Sequence, residues 1–256
     1  MAAIRAGLGG LLLAALLGPR LRTWWQAARE GDYFVSQALF NVVLPWVLVA
    51  WASQIIDAKL TTILNSLSPI FIFLITWAIT RHEPATGRKF AGVALGLAGV
   101  VAIVGPSALA GLGSHLAAEL ACIAGSLGYG IAAVIGRRYD KLPALVPAAG
   151  SAITGAAILV PLALVVDGWP SGASGRSLLA VGALAVFSTG AAFVVYFRLL
   201  STIGSIATAS QAYLRIAVGV GLSVTLLGER LEPAHGVGLA LVIAGVVAMT
   251  WPRKGL

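Results

Sequence analysis

Long apolar stretches separated by short polar ones run along the whole chain. Most of these stretches are long enough for a helix that crosses a bilayer, which needs about 20 residues. The apolar positions are continuous. In the strands of a membrane barrel they would alternate with polar positions. The pattern predicts an all-α polytopic membrane protein of about nine transmembrane helices, at residues 4–18, 34–54, 60–80, 90–106, 114–136, 143–166, 177–200, 205–227 and 234–251.

The chain also contains an internal repeat. Residues 92–102 and 238–248 match at eight of eleven positions without a gap when one is shifted by 146. The same shift pairs Glu83 with Glu229, nine residues ahead of each segment. We therefore predict two copies of one membrane unit, residues 1–106 and 114–251. The Gly-rich segments themselves space small residues one turn apart, which predicts close helix packing.

Composition and charge fix the environment and the orientation. The chain is 59% hydrophobic and 10% charged, with a net charge of +8, and twelve of its 17 Lys and Arg lie in every second loop and at the C-terminus. This distribution follows the positive-inside rule. It predicts a multi-pass protein of the cell membrane with a cytoplasmic C-terminus and, for nine spans, an external N-terminus. The charges do not cluster on one soluble face, so we expect a lipid bilayer and no nucleic acid as partner.

Combining repeat and orientation gives the two copies opposite directions. Five spans lie between the loop of Glu83 and the loop of Glu229. An odd number inverts the second copy relative to the first. Inverted repeats are typical of secondary transporters, which bind substrate near the midplane and expose it to each side in turn. The repeat therefore predicts transport of a small molecule by alternating access.

Polar residues within the spans are the candidates for a substrate site. An ionisable residue near the centre of a span usually faces the interior or water, and Arg215 has this position. A structural role, paired with helix carbonyls, remains an alternative. Arg215 shares one helix face with Thr208 and Gln211. The 146 shift pairs these three residues with Thr62, Asn65 and Pro69 of the first copy, and we expect the two sets to form facing walls of one cavity. Pro69 predicts a bend.

Two other spans contribute polar candidates. Gln37 and Asn41 lie four residues apart on one face of the second span, and Glu119 and Tyr129 lie along the fifth. We hypothesise an electrostatic partnership between Glu119 and Arg215. The alternative is that Glu119 simply meets external water.

Motifs for enzyme, metal or ATP chemistry do not occur in the sequence. HExxH, GxSxG and GxxxxGK[ST] are missing, and the three histidines share no metal-ligand spacing. The one cysteine, Cys122, lies within a predicted span, so no intrachain disulfide can form. We expect neither a cofactor nor enzyme activity.

Several stretches of the two copies carry a recognisable motif. In the second copy they are Tyr213-Leu214, the run Leu227-Gly228-Glu229-Arg230-Leu231, and Gly236 to Val247. In the first copy they are Leu67 to Phe71 and Glu83. These stretches resemble the EamA-type repeat of the drug/metabolite transporter superfamily, although Arg81-His82 replaces the usual Leu-Gly. The likeness covers most of residues 34–106 and 177–251.

The resemblance implies two inverted five-helix halves and export of an amino acid-like or drug-like metabolite. Glu83, Glu229 and Pro69 are then structural or gating residues. Proton or sodium coupling and a homodimer are both compatible with it. Ile4 to Gly7 resembles the start of the family's second helix, so the first helix is expected to be missing. The alternatives are an N-terminally truncated, non-transporting protein or partner subunit and, more remotely, an intramembrane enzyme.

Overall fold

A computed structural model of the protein describes residues 2–18, 22–23, 33–166, 168, 175–227 and 233–251. Helices dominate this part of the chain, and no strand occurs in it. The predicted all-α polytopic fold class is confirmed.

The helices follow the predicted apolar stretches closely. The α-helices are α1 (Ala2–Leu17), α2 (Tyr33–Ala38), α3 (Leu44–Ala52), α4 (Ala58–Asn65), α5 (Ser68–Ile75), α6 (Gly87–Val104), α7 (Leu116–Gly136), α8 (Leu145–Val166), α9 (Gly175–Ala183), α10 (Ala192–Ile203), α11 (Ser205–Ala209), α12 (Gln211–Leu227) and α13 (Pro233–Thr250). Three π-helical turns continue them within spans: Leu39–Val43, Thr76–Thr80 and Leu184–Ala191.

Seven helical segments in the described part are long and apolar enough to cross a membrane, where the sequence predicted nine. Two predicted spans fall short for different reasons. Helix α1 has only 16 residues. In the predicted span 205–227, Ser210 separates α11 from α12, and α12 has 17 residues. Every predicted stretch is nevertheless helical in the structure.

The chain divides into two compact units, each built from separate stretches. Unit 1 consists of Met1–Val47 and Ile135–Thr202. Within it α1 packs against α8 and against the π-turn Leu184–Ala191. A Cβ atom on Gly10 would lie 3.2 Å from the backbone nitrogen of Ile153, so the missing side chain allows this close approach.

Unit 2 consists of Leu48–Val134 and Ile203–Leu256. Its centre is the pair α6 and α13, which carry the two repeated Gly-rich segments. A Cβ on Gly99 would lie 2.7 Å from the carbonyl oxygen of Gly238, and one on Gly245 would lie 2.7 Å from that of Gly92. The predicted packing role of these segments is confirmed.

Candidate functional site

Two spans of unit 2 are broken at corresponding positions of the repeat. The first break, at Ser66 and Leu67, separates α4 from α5, and Pro69 follows in the first turn of α5. The second break is at Ser210, and the 146 shift places it two residues from the first. Interrupted helices at matching positions of two repeats are the pattern that marks a transporter's binding site.

The broken backbone is stabilised inside the unit. A break in a span leaves backbone groups that hydrocarbon cannot satisfy. At the first break, the carbonyl of Leu64 accepts a hydrogen bond of 2.8 Å from the buried hydroxyl of Ser126 on α7. Helix α11 packs against α5, so a segment of the second broken span lies directly on the first.

The polar residues predicted to line this region fall into two groups. Thr62 and Thr208 donate their hydroxyl protons to their own helices, at 2.8 Å to Ala58 and 2.6 Å to Gly204. Their protons are therefore unavailable to a ligand. The other group, which keeps its polar atoms available, consists of Asn65, Gln211 and Arg215.

Asn65, Gln211 and Arg215 differ in exposure. The side-chain oxygen of Asn65 is buried without a hydrogen-bond partner. Gln211 and Arg215, the first and fifth residues of α12, are exposed. The structure thus places an amide at the first break, an amide at the second break, and a guanidinium one turn further along.

Glu119 has a structural role, which corrects the predicted partnership with Arg215. It lies in the first turn of α7 and is only 5% exposed. Its carboxylate accepts hydrogen bonds from the backbone N–H groups of Gly113, at 2.9 Å, and His115, at 3.3 Å. No ion pair joins Glu119 to Arg215 in the described structure. Because the carboxylate is buried, the alternative that it meets external water is also wrong.

The predicted polar pair of unit 1 is buried. Gln37 is fully buried, and neither its side-chain oxygen nor its side-chain nitrogen has a partner. Asn41 is 7% exposed and lies in a π-helical turn. A buried polar group without a partner costs about 1–3 kcal/mol. Gln37 therefore carries hydrogen-bonding capacity that the protein does not use. Tyr129, the remaining aromatic candidate, is half-buried on α7 in unit 2.

Each π-helical turn contains a buried polar side chain. These are Asn41, Thr76 and Thr189, and the hydroxyls of the two threonines have no partner. In a regular helix a Thr hydroxyl commonly bonds the carbonyl four residues earlier. Single π-turns within α-helices occur frequently at functional sites. Thr76 and Thr189 were not predicted as candidates, because the sequence does not indicate the π-turns in which they lie.

Arg5 is a third residue that was not predicted from the sequence. Its guanidinium lies 3.9 Å from the ring centroid of Trp46, within cation–π range. Trp46 in turn meets Phe193 edge-on at 6.4 Å. Its position as an arginine inside an apolar stretch could have identified it from the sequence. All three residues belong to unit 1.

Glu83 connects the loop after Thr80 to the start of α11. Its carboxylate accepts hydrogen bonds from the Ser205 hydroxyl at 2.6 Å and the Ile206 backbone N–H at 2.7 Å. Burial alone raises the pKa of this carboxyl, but those hydrogen bonds, with Lys89 and His82, hold the pKa below its ordinary value. Glu229, its repeat partner, lies outside the described residues.

Metal-ligating residues do not assemble in the described part of the chain. No group of three or more His, Cys, Asp or Glu side chains there could hold a metal ion. Cys122 is fully buried in an apolar cluster with Leu60 and Leu64.

Comparison with known proteins gives a family and a fold. A model of the EamA-like transporter family matches residues 1–105 and 116–251. No curated protein matches the chain. Among 24 matching chains of solved structures, one crystal structure of a protein has a TM-score of 0.81 and 21% identity, over 97% of this chain and 86% of that chain. At this identity the likeness shows the fold alone.

Proposed function

The chain belongs to the EamA-like transporter family and is a multi-pass membrane protein, and from this premise we propose that it exports a small organic solute by alternating access. Its C-terminus lies in the cytoplasm, as the positive loops predict. The single observation that supports transport best is the pair of broken spans at matching repeat positions, α4–α5 and α11–α12.

The available side chains favour a solute with a carboxylate and a hydrogen-bonding group. Arg215 offers a planar, permanently charged fork of donors that fits a carboxylate. Asn65 and Gln211 can each donate and accept hydrogen bonds. An amino acid-like metabolite matches this set. A drug-like solute without an anionic group would use the amides and leave Arg215 unmatched.

Flux into proteoliposomes tests this proposal. Radiolabelled amino acids and small amines are offered to the wild type, to Arg215→Ala and to Gln211→Ala. A lost hydrogen bond to a charged group costs about 1.5–3 kcal/mol, so Arg215→Ala should lower uptake of a carboxylate solute about tenfold or more. A proton or sodium gradient imposed in parallel identifies the coupling ion. Absence of any substrate-dependent flux by the wild type would sink the proposal.

Thr225→Ala is the matched control for this assay. Thr225 is exposed on α12 like Arg215, but its hydroxyl bonds the carbonyl of Gly221 in its own helix, at 2.8 Å. Its removal should leave flux unchanged. Equal losses in Thr225→Ala and Arg215→Ala would show that α12 is merely intolerant of substitution.

One observation favours the alternative of a non-transporting partner subunit. Helix α12 exposes Leu214, Val218 and Leu222 on one face, next to Arg215. A charged residue in that position is costly against lipid, whereas a partner helix could pair with it. Wild-type protein that shows no flux alone, but co-purifies with a second membrane protein unless Arg215 is replaced, would establish this role.

A further inference from the structure

The starts of the two broken spans are capped in different ways. At α4, Asp57 caps its own helix, because its side chain accepts a hydrogen bond of 2.6 Å from the N–H of Lys59. The 146 shift pairs Lys59 with Ser205. At α11 the hydroxyl of Ser205 and the backbone N–H of Ile206 donate instead to Glu83, which belongs to a loop more than 100 positions earlier in the chain.

Gly204 makes the contact at α11 possible. It precedes α11 with a φ of +88°, and its cap position provides no side-chain hydrogen bond. A Cβ atom built on Gly204 would overlap the Oε2 atom of Glu83. A normal capping side chain at this position would therefore exclude the Glu83 carboxylate. The helix start has no local cap, and the loop supplies it.

Residues of this loop and of the helical segments on either side of it surround the carboxylate. The ammonium of Lys89 lies 3.4 Å from Oε2 of Glu83. The imidazole of His82 is 2.8 Å from the Ser205 hydroxyl and 2.7 Å from that of Thr80. Because hydrogen bonds in such a network reinforce one another, the loop should attach to α11, and detach from it, as one piece.

We propose that Glu83 is a positioning residue. Docking of the loop 81–86 caps α11 and so holds the broken span that carries Thr208, Gln211 and Arg215, and release of the loop loosens that span. The cap of α4 is supplied by its own Asp57 and is independent of any loop contact. This role deepens the proposed transport function and rests on it, because only that function gives the broken span a part in substrate binding.

Hydrogen–deuterium exchange measured by mass spectrometry, on the full chain in lipid nanodiscs, tests this coupling. In Glu83→Ala, residues 81–86 and 205–209 should exchange together about tenfold or more faster, because charge-assisted hydrogen bonds are lost. Glu83→Gln keeps an acceptor oxygen and loses the charge, so its effect should be intermediate. If the alanine variant does not fold, Glu83→Gln still tests the coupling. Residues 58–62, capped by Asp57, should be unchanged in both.

Two further variants separate docking from local effects. Gly204→Ala should give the coupled increase even though Glu83 is intact, because the added Cβ blocks the carboxylate. Gly113→Ala is the matched control, since Gly113 has a similar φ of +86° and open space around its Cβ position. It should leave both segments unchanged. Asp57→Ala should speed exchange in residues 58–62 only.

The proposal is overturned if faster exchange in Glu83→Ala is confined to residues 205–209, since the loop would then be independent of the cap. It is also overturned if Gly204→Ala and Gly113→Ala give the same result. The measurement needs no substrate. A failed flux assay would therefore contradict the transport function while leaving the coupling of loop and helix intact. Normal flux together with uncoupled exchange in residues 81–86 and 205–209 would contradict the coupling alone.

Discussion

At the scale of single residues, Gln37 shows how a stability cost can indicate a function. Its amide is fully buried, and both of its polar atoms lack partners. Such a group weakens the folded state, whereas an apolar side chain of the same shape does not. Retaining polar groups at a cost in stability is typical of functional sites.

Gln37→Met is therefore expected to raise the free energy of unfolding by about 1–2 kcal/mol and to reduce flux. Thermal unfolding in detergent and proteoliposome uptake measure the two effects. Gln211→Met, at an exposed position, should leave stability nearly unchanged. A clear loss of stability in Gln37→Met would contradict this account of the buried amide.

The lowered pKa of Glu83 gives a pH prediction. A carboxyl whose pKa is depressed by folding stabilises the folded state above its ordinary pKa, 4.5 here, and loses that contribution as pH falls through the folded value. The melting temperature of the wild type should exceed that of Glu83→Gln by its full amount at pH values well above 4.5. At lower pH the difference should shrink. A difference that grows on acidification would reverse the sign and contradict the hydrogen bonds described.

How far sequence identifies functional residues depends on the local backbone. Asn65 and Gln211 were recognisable as polar residues in apolar stretches. Thr62 and Thr208 had the same signal, yet their hydroxyl protons are used within their helices. Thr189 differs from them because it lies in a π-turn, which the sequence does not indicate. Glu119 was misread because its partners are backbone N–H groups, which no side-chain pattern reveals.

At the scale of elements, the contact of α6 with α13 depends on glycine. Gly99→Ala should lower the free energy of unfolding by about 1–3 kcal/mol, because the new methyl group has no space against Gly238. Gly236→Ala is the matched control on α13, since nothing lies within 4 Å of its Cβ position. It should be neutral or slightly stabilising, because Ala favours helix over Gly. Thermal unfolding that shows equal losses for both variants would contradict the packing.

Sequence predicted the helices better than their interruptions. Apolar continuity locates every helical stretch, because any span must satisfy its backbone internally. Pro69 signalled the first break, since proline favours the first turn of a new helix. The break at Ser210 has no proline or glycine at the interruption itself. It depends on tertiary contacts of α11 instead, which include the carboxylate of Glu83.

At the scale of the whole molecule, sequence copies and compact units are different divisions of the chain. Unit 1 contains α1 from the first copy and α8 from the second, and unit 2 contains α6 and α13. Each unit is formed by contacts between segments that are distant in sequence, and no local sequence pattern indicates those contacts. The repeat was visible in the sequence because 146 is a constant shift, whereas the units required the structure.

Orientation is a prediction at the same scale. A C-terminal green fluorescent protein fusion should fluoresce, and a C-terminal alkaline phosphatase fusion should be inactive, because the positive loops place this end in the cytoplasm. Fusions after Ser114, in the loop before α7, should give the opposite pair of results. An active phosphatase at the C-terminus would reverse the assigned topology.

Solute counterflow in proteoliposomes tests the central claim, transport through the two broken spans, most directly. Vesicles loaded with an unlabelled amino acid are diluted into a trace of the same labelled compound, and the label should accumulate transiently inside. The wild type and Thr225→Ala should show this accumulation, and the double variant Asn65→Leu/Arg215→Ala should lose it about tenfold or more. Accumulation that persists in the double variant would contradict the assignment of the site to the broken spans.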